Sequence, residues 1–208
     1  MYSLFAGLRT PLPIVFYALY LRFLGDSLRK VSKAVEFFTA KSHVAVWRWE
    51  KKLRSFRNVS TSRCRVSAFL IDDTEVRVSG YNAWVFIAYE LFEKKLLGMW
   101  LSWTKNQLVA EKFLGELIGR FGKHPVYSDG GYYYAASCKS LSLDHRVYSF
   151  GSWIHQVVKS IICTRIKDAT RIFEYYFPCR RKNCNLEHVW SWMPSWIQLL
   201  PLLKSKDP

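Results

Sequence analysis

Three aspartates carry most of the chemistry this sequence could do. Asp72 and Asp73 follow the apolar run Ala68, Phe69, Leu70 and Ile71, so they stand at the end of a strand pattern and not in a polar loop. A carboxylate set in apolar surroundings is strongly unfavourable unless a cation, a hydrogen-bond network or a raised pKa relieves it. A divalent metal would do so; an edge strand with solvated acids would need none. Asp129 repeats the arrangement, because a short strand pattern from His124 to Ser128 ends on it and Gly130 and Gly131 follow at once. Two strands that each end in an aspartate, separated by two further strands and a helix, meet the needs of an oxygen-ligand metal site at the edge of a mixed sheet.

Two other groupings could do chemistry. Cys179, Cys184 and His188 form C-x4-C-x3-H and offer three ligands of the kind zinc selects, with no fourth nearby. A packed loop and helix accounts for them better. Tyr132, Tyr133 and Tyr134 raise a tyrosine nucleophile, but no basic catalytic cluster or paired histidines accompany them, so they read as core and groove-lining aromatics.

The aspartates need elements to hold them. After Asp73 the sequence alternates, with Thr74, Val76 and Val78 on one side and Glu75, Arg77 and Ser79 on the other, before the turn signal from Ser79 to Asn82. Strands are then expected over Ala83–Glu90 and Lys95–Trp103, and their short connections favour antiparallel pairing. From Asn106 to Phe121 the period is helical: Val109, Phe113, Leu114, Leu117, Ile118 and Phe121 share a side, and Gly122 closes the run. Beyond Asp129 the pattern predicts a helix over Tyr132–Ser140, a strand over Arg146–Phe150, an amphipathic helix over Ser152–Asp168, a basic loop around Arg180–Lys182 and an aromatic-rich helix over Leu186–Leu200.

The N-terminal part reads differently. A helix over Pro11–Leu24 has proline at its start and Gly25 as its stop. Ser27 caps a second, with Leu28, Val31, Val35 and Phe38 on one face. Ser42 caps a third, in which Val46, Trp49 and Leu53 face inward while His43, Trp47, Arg48, Lys51 and Lys52 point out. Three short helices with a basic third one fit a helix-turn-helix, whose last helix lies in the major groove of DNA. A small helical bundle with a solvated basic face fits the same pattern. Arg54 to Arg65 then reads as a linker, which divides the chain into a helical domain, 1–59, and a core, 60–208.

Composition narrows the partner. The 208 residues carry a formal net charge of +15, which points to an acidic polymer or an anionic surface and away from a small neutral ligand. Eleven basic residues stand against three acidic ones between Met1 and Val59. Five scattered cysteines, an odd number, suit a reducing compartment and no disulfide framework, so a cytoplasmic location is expected. The apolar run from Pro13 to Tyr20 is interrupted by Arg22 well short of the roughly 20 residues of a spanning helix, and Trp190–Leu203 is broken by Pro194 and Pro201. No membrane partner is expected.

The order of three antiparallel strands, helix, strand, helix, strand and helix, with aspartate on the first and fourth strands, is that of an RNase H-like core. The sequence resembles the prokaryotic insertion-sequence transposases of the DDE class, in which a helix-turn-helix precedes such an integrase core. The resemblance is carried by SLRKVS and SHVAVWRW in the helical part, by IDDTEVRV, by YSDGGYYYAA, and by the steps from Lys167 to Cys179. It implies an α/β fold and a metal-dependent cleavage and joining of DNA strands, with Asp72 and Asp129 as the first and second catalytic and metal-binding aspartates. Asp73 stands where relatives often carry Glu. Mg²⁺ or Mn²⁺ is the implied ion, and double-stranded DNA at element ends the implied partner, with room for a homodimer on that DNA.

One departure stands out. Relatives place a third acid on the helix that follows, roughly 30 to 35 residues after the second aspartate. Here Ser152 to Lys167 holds no acid, Lys159 is the best-matching position and His155 the second. Asp168 lies nine residues beyond Lys159, about 13.5 Å of helix rise. A lysine beside the aspartates would put positive charge where the cation belongs, so weakened metal binding and impaired catalysis are expected. The alternative is a non-catalytic DNA-binding protein derived from a transposase.

Overall fold

The computed structural model describes residues 7–54, 65–93 and 95–160, together with positions 5, 167, 186, 187, 189, 190 and 193. The expected linker and the positions Cys179, Cys184 and His188 lie outside the described residues, as does most of the helical run that follows Ser160.

Three helices come first: α1 (Leu12–Phe23), α2 (Leu28–Glu36) and α3 (His43–Arg54). Their ends lie where the local chemistry put them. Pro11 precedes α1, and Gly25 just beyond it has φ +106°, a conformation open to glycine without a Cβ clash. The Ser27 hydroxyl accepts from the Lys30 amide at 3.3 Å, and the Ser42 hydroxyl accepts from Ala45 at 3.4 Å. Val31 and Val35 of α2 are buried, and so are Val46, Trp49 and Leu53 of α3. Phe38 corrects the sequence reading: it lies past the end of α2 and is exposed, its ring meeting Tyr17 and Phe37 edge-on. An unforeseen ion pair ties the first helix to the third, with Arg22 Nε 3.0 Å from Oε2 of the buried Glu50.

The rest is a mixed sheet. Strands β1 (Phe69–Val78), β2 (Tyr81–Glu90), β3 (Leu96–Ser102), β4 (Val126–Ser128) and β5 (His145–Val147) lie in the order β3-β2-β1-β4-β5. The first three are antiparallel neighbours, while β4 pairs parallel with β1 and β5 parallel with β4. Antiparallel strands need only tight turns, here Ser79–Gly80 with φ values of +53° and +85°. Parallel ones need crossovers, which α4 (Gln107–Phe121) and α5 (Tyr132–Ser140) supply. The final helix of this part, α6 (Trp153–Val158), is capped by the Ser152 hydroxyl, which accepts from the His155 amide at 3.2 Å. The element order expected of an RNase H-like core is the order observed. The last strand falls one residue earlier than expected and is three residues long.

Pleating divides the core between the two faces. Phe69 and Ile71 of β1 point into a cluster with Phe113, Leu114, Leu117, Tyr133 and Tyr134 of α4 and α5. Leu70, Val76 and Val78 point into the other cluster, which takes in side chains of α1, α2, α3 and α6. Successive residues of a strand face opposite sides of its sheet. That rule decides the fate of the two acids that follow Ile71.

Candidate functional site

Asp73 shares its face with Phe69 and Ile71, so it enters the cluster under α4 and α5. Its side chain is 4% exposed and is fully provided for. Lys105 Nζ lies 2.8 Å from Oδ2, while the hydroxyls of Tyr133 and Tyr134 donate to Oδ1 at 2.5 and 3.2 Å. Lys105 also sits over the rings of Trp84 and Tyr133, at 4.6 and 5.0 Å from their centroids. Burial and the negative charge of Asp73 push both tyrosine hydroxyls far above their ordinary range, so they remain donors. Two members of the tyrosine run therefore serve as donors to an acid, and Tyr132 alone is exposed.

Asp72 goes to the opposite face with Leu70. No lysine or arginine lies within ion-pair distance of it among the described residues. One of its oxygens, Oδ1, accepts from the Asp73 amide at 2.8 Å. Burial, with the nearby charges of Asp73 and Asp129, pushes its carboxyl up to about 7. The backbone hydrogen bond and the more distant Lys105 pull the other way without prevailing.

Strand register brings Asp129 alongside. β1 and β4 pair Phe69 with Val126 and Leu70 with Tyr127, and the same parallel spacing carried on sets Asp72 beside Asp129. β4 and β5 pair Ser128 with Val147, which sets Tyr148 beside Asp129 on the far side; the Tyr148 amide donates to the Ser128 carbonyl at 3.1 Å. Asp72, Asp129 and Tyr148 thus form a row across the carboxyl-terminal ends of the parallel strands.

A clamp beneath Asp129 was not visible in the sequence. The buried Ser128 hydroxyl accepts from the Gly130 amide at 3.2 Å and lies 2.8 Å from Nε2 of His145. Burial lowers the His145 pKa below its usual value, which favours the neutral ring in its hydrogen bond with the serine hydroxyl. Asp129 itself is exposed and turns the chain, its Oδ1 accepting from Gly131 at 3.1 Å. Gly130 has φ +90°, and a Cβ there would lie 3.0 Å from Cγ1 of Val147. No other residue fits that corner without strain.

Of the two residues expected at the third position, His155 lies on α6 and Lys159 is its C-cap. His155 stacks on Tyr148 at 6.3 Å and lies tilted against Phe150 at 4.6 Å, and its Nδ1 accepts from the Gly151 amide at 3.1 Å. Lys159 is exposed, with Nζ 5.2 Å over the Phe150 ring. Both residues lie on one side of the helix, and His155 contacts Tyr148, the residue that follows β5. Among the described residues no three His, Cys, Asp or Glu side chains gather closely enough to hold a metal ion. The donor chemistry therefore fits a divalent cation at Asp72 and Asp129 and falls short at the third position. Of the expected DNA-contacting residues, His43, Trp47, Arg48 and Lys51 are exposed and Lys52 is half-buried; Lys51 sits 5.2 Å over the Trp47 ring.

No family model matches the chain. Uncharacterized protein MJ0017 of Methanocaldococcus jannaschii is 27% identical over 204 residues, which cover 98% of this chain and 92% of that protein. The mixed five-stranded sheet with its helices is similar to integrase catalytic cores. The HTLV-2 integrase catalytic core domain in complex with magnesium superposes with a TM-score of 0.42 at 13% identity, over 70% of this chain and 90% of that one. The BIV integrase catalytic core domain gives 0.40 at 14% identity, over 68% and 86%. A chain of the simian T-cell lymphotropic virus intasome in complex with the PP2A regulatory subunit B56 gamma gives 0.41 at 12%, and this chain spans 66% of its length. No helix among the described residues is long and apolar enough to cross a membrane.

Proposed function

We propose that this chain is a transposase of the DDE class whose metal site is incomplete, so that it binds DNA but cleaves and joins it weakly or not at all. The observation that carries the reading is the row of strand ends. Asp72 and Asp129 lie close enough for their charges to act on each other, no lysine or arginine among the described residues lies within ion-pair distance of Asp72, and the adjoining helix offers His155 and Lys159 in place of an acid. A divalent ion held there would activate the attacking oxygen and stabilise the leaving one in phosphoryl transfer. This chain's own residues hold the donors in place: the Asp73 amide fixes one oxygen of Asp72, and the His145–Ser128–Gly130 clamp fixes the turn that carries Asp129. The three N-terminal helices, with His43, Trp47, Arg48, Lys51 and Lys52, are proposed to form the helix-turn-helix that meets double-stranded DNA at element ends.

A second reading, a non-catalytic DNA-binding protein of transposase descent, is favoured by one observation: no third metal-binding side chain joins the aspartates among the described residues. One experiment separates the two. Duplexes from the DNA flanking the gene are incubated with Mg²⁺ or Mn²⁺ and the native protein, His155→Glu or Lys159→Glu. Binding without cutting by the native protein, and cutting by His155→Glu, is the expected result. Cutting by the native protein would show a complete site, and failure to bind would remove the helix-turn-helix assignment.

A further inference from the structure

At the outer edge of the sheet, away from the acids, lies a cavity of about 300 Å³. Its walls come from two parts of the chain: Trp100 and Leu101 of β3, and Leu186, Glu187 and Trp190 near the C-terminus. β3 is the outermost strand of the sheet. Successive residues of a strand face opposite sides, so a cavity that meets both Trp100 and Leu101 wraps around that edge.

The second wall is firmly seated. Leu186, Val189, Trp190 and Met193 are helical and recur at i, i+3, i+4 and i+7, the spacing of one helix face. Val189 and Met193 are fully buried in the cluster that holds Leu70 and Val76, and Leu186 and Trp190 pack against it. Glu187 precedes Trp190 by three positions, so the two adjoin on the helix surface. Glu187 is exposed, whereas both tryptophans are half-buried. The cavity therefore combines apolar walls, an indole from each side and one carboxylate at its solvent-exposed margin.

That combination selects by charge. Indole faces attract cations, and alkylammonium ions also pack their methyl or methylene groups on the ring. The carboxylate repels an anion, and a neutral apolar ligand would strip water from it without return. A bare metal ion of the oxygen-seeking kind would find a single carboxylate where it needs several ligands. The net charge of +15 disfavours any cation at long range. That field is screened over about 8–10 Å in physiological salt, whereas the indoles and the carboxylate act at contact.

We propose that this cavity is a binding site for a small organic ammonium ion, held by the indoles of Trp100 and Trp190 with Glu187 as its counter-charge. Its volume stands at the lower end of the range of small-molecule sites. The site lies on β3, with β2 between it and the strand that carries Asp72. Its occupation is independent of the DNA reading given above.

The test uses the full 208-residue chain at constant ionic strength and two probes of nearly one shape: choline, and the neutral alcohol in which carbon replaces its charged nitrogen. Isothermal titration calorimetry is expected to show choline binding about tenfold more tightly than the alcohol. Trp100→Ala and Trp190→Ala should each weaken choline roughly tenfold, while Trp190→Phe keeps most of the affinity. Glu187→Gln should weaken choline roughly threefold and leave the alcohol unchanged. Circular dichroism and melting temperature control for folding, and the exposed position of Glu187 keeps the site testable where an alanine variant unfolds. Equal affinity for the two probes, or no binding of choline, overturns the proposal. Choline binding that survives Glu187→Gln and both alanine changes undiminished overturns it as well, since the ion would then sit elsewhere on the chain.

Discussion

The Nζ of Lys105 lies 2.8 Å from Oδ2 of Asp73, inside a nest of aromatic rings formed by Trp84, Tyr133 and Tyr134. Asp73 is almost wholly shielded and Lys105 only partly so, which makes the pair asymmetric. Removing the cation would leave a buried charge behind, and breaking a buried pair from one side is strongly destabilising. Lys105→Met is expected to lower the unfolding free energy by about 2–4 kcal/mol in urea titration. Adding Asp73→Asn to it should recover more than half of that loss, since the amide keeps a carbonyl for the tyrosine hydroxyls. Additive effects of the two changes would show that they do not act as a pair.

Asp72 predicts a different pH response. Its folded-state value of about 7 lies above the ordinary 3.8, so the unfolded chain gives up this proton first. Below pH 3.8 the carboxyl contributes no difference; between about 4 and 7 stability falls as pH rises, and above 7 the penalty is constant. Asp72→Asn removes that penalty, so it should be more stable than the native chain at pH 8, by on the order of 2–4 kcal/mol, and equal to it near pH 4. Thermal melts at the two values check this. Saturating Mn²⁺ should shrink the difference at pH 8, because a bound cation repays the charge in the native chain alone.

At the third position the aim is a gain of binding. His155 touches Tyr148, whereas Lys159 reaches out over Phe150. His155→Glu is therefore expected to tighten Mn²⁺ binding by about tenfold, measured by isothermal titration calorimetry, and Lys159→Glu by less. The opposite order would place Lys159 nearer the acids.

The corner after Asp129 offers a steric test. Gly130→Ala must hold a Cβ at φ +90° and against Val147, which should cost about 1–3 kcal/mol of stability. Val147→Ala in the same chain relieves the contact but not the backbone strain, so only part of the loss should return.

A fifth expectation concerns the helices. Glu50 is buried and meets Arg22 across α1 and α3. Glu50→Gln should lower stability by about 1–3 kcal/mol, with Arg22 left facing a neutral amide. A chemical denaturation curve reads it directly.

Much of this architecture was legible because it depends on local signals. The periodicity of Val109 to Phe121, the caps Ser27 and Ser42, and the stops at Gly25 and Gly122 each follow from a few neighbouring residues, and the elements lie within a residue or two of them. Phe38 was misjudged because it falls after the helix has ended, where the helical period no longer assigns a face. Asp72 and Asp129 were legible as candidates, since each closes an apolar run. The roles of their neighbours were not. Nothing in sequence connects Lys105 or Tyr134 with Asp73, or His145 with Ser128, because those contacts are made by chain crossings. The buried Glu50 and Glu90 were hidden for the same reason; Glu90 accepts from the amides of Ser67, Phe92 and Glu93 at a turn that has to be closed before the acid is satisfied.

Two identical side chains, adjacent in sequence, receive opposite treatment: one is locked among partners, and the other is buried so that its carboxyl is pushed up to about 7. Only the pleat of β1 decides which is which. If that strand slid by a single residue, the acid that now meets Lys105 would turn to the opposite face, and its neighbour would take its place. The lysine and tyrosines would accept either carboxylate, so the register is held by the apolar residues around the acids: the same slip would turn Phe69 and Ile71 away from the cluster under α4 and α5, and Leu70, Val76 and Val78 away from the other.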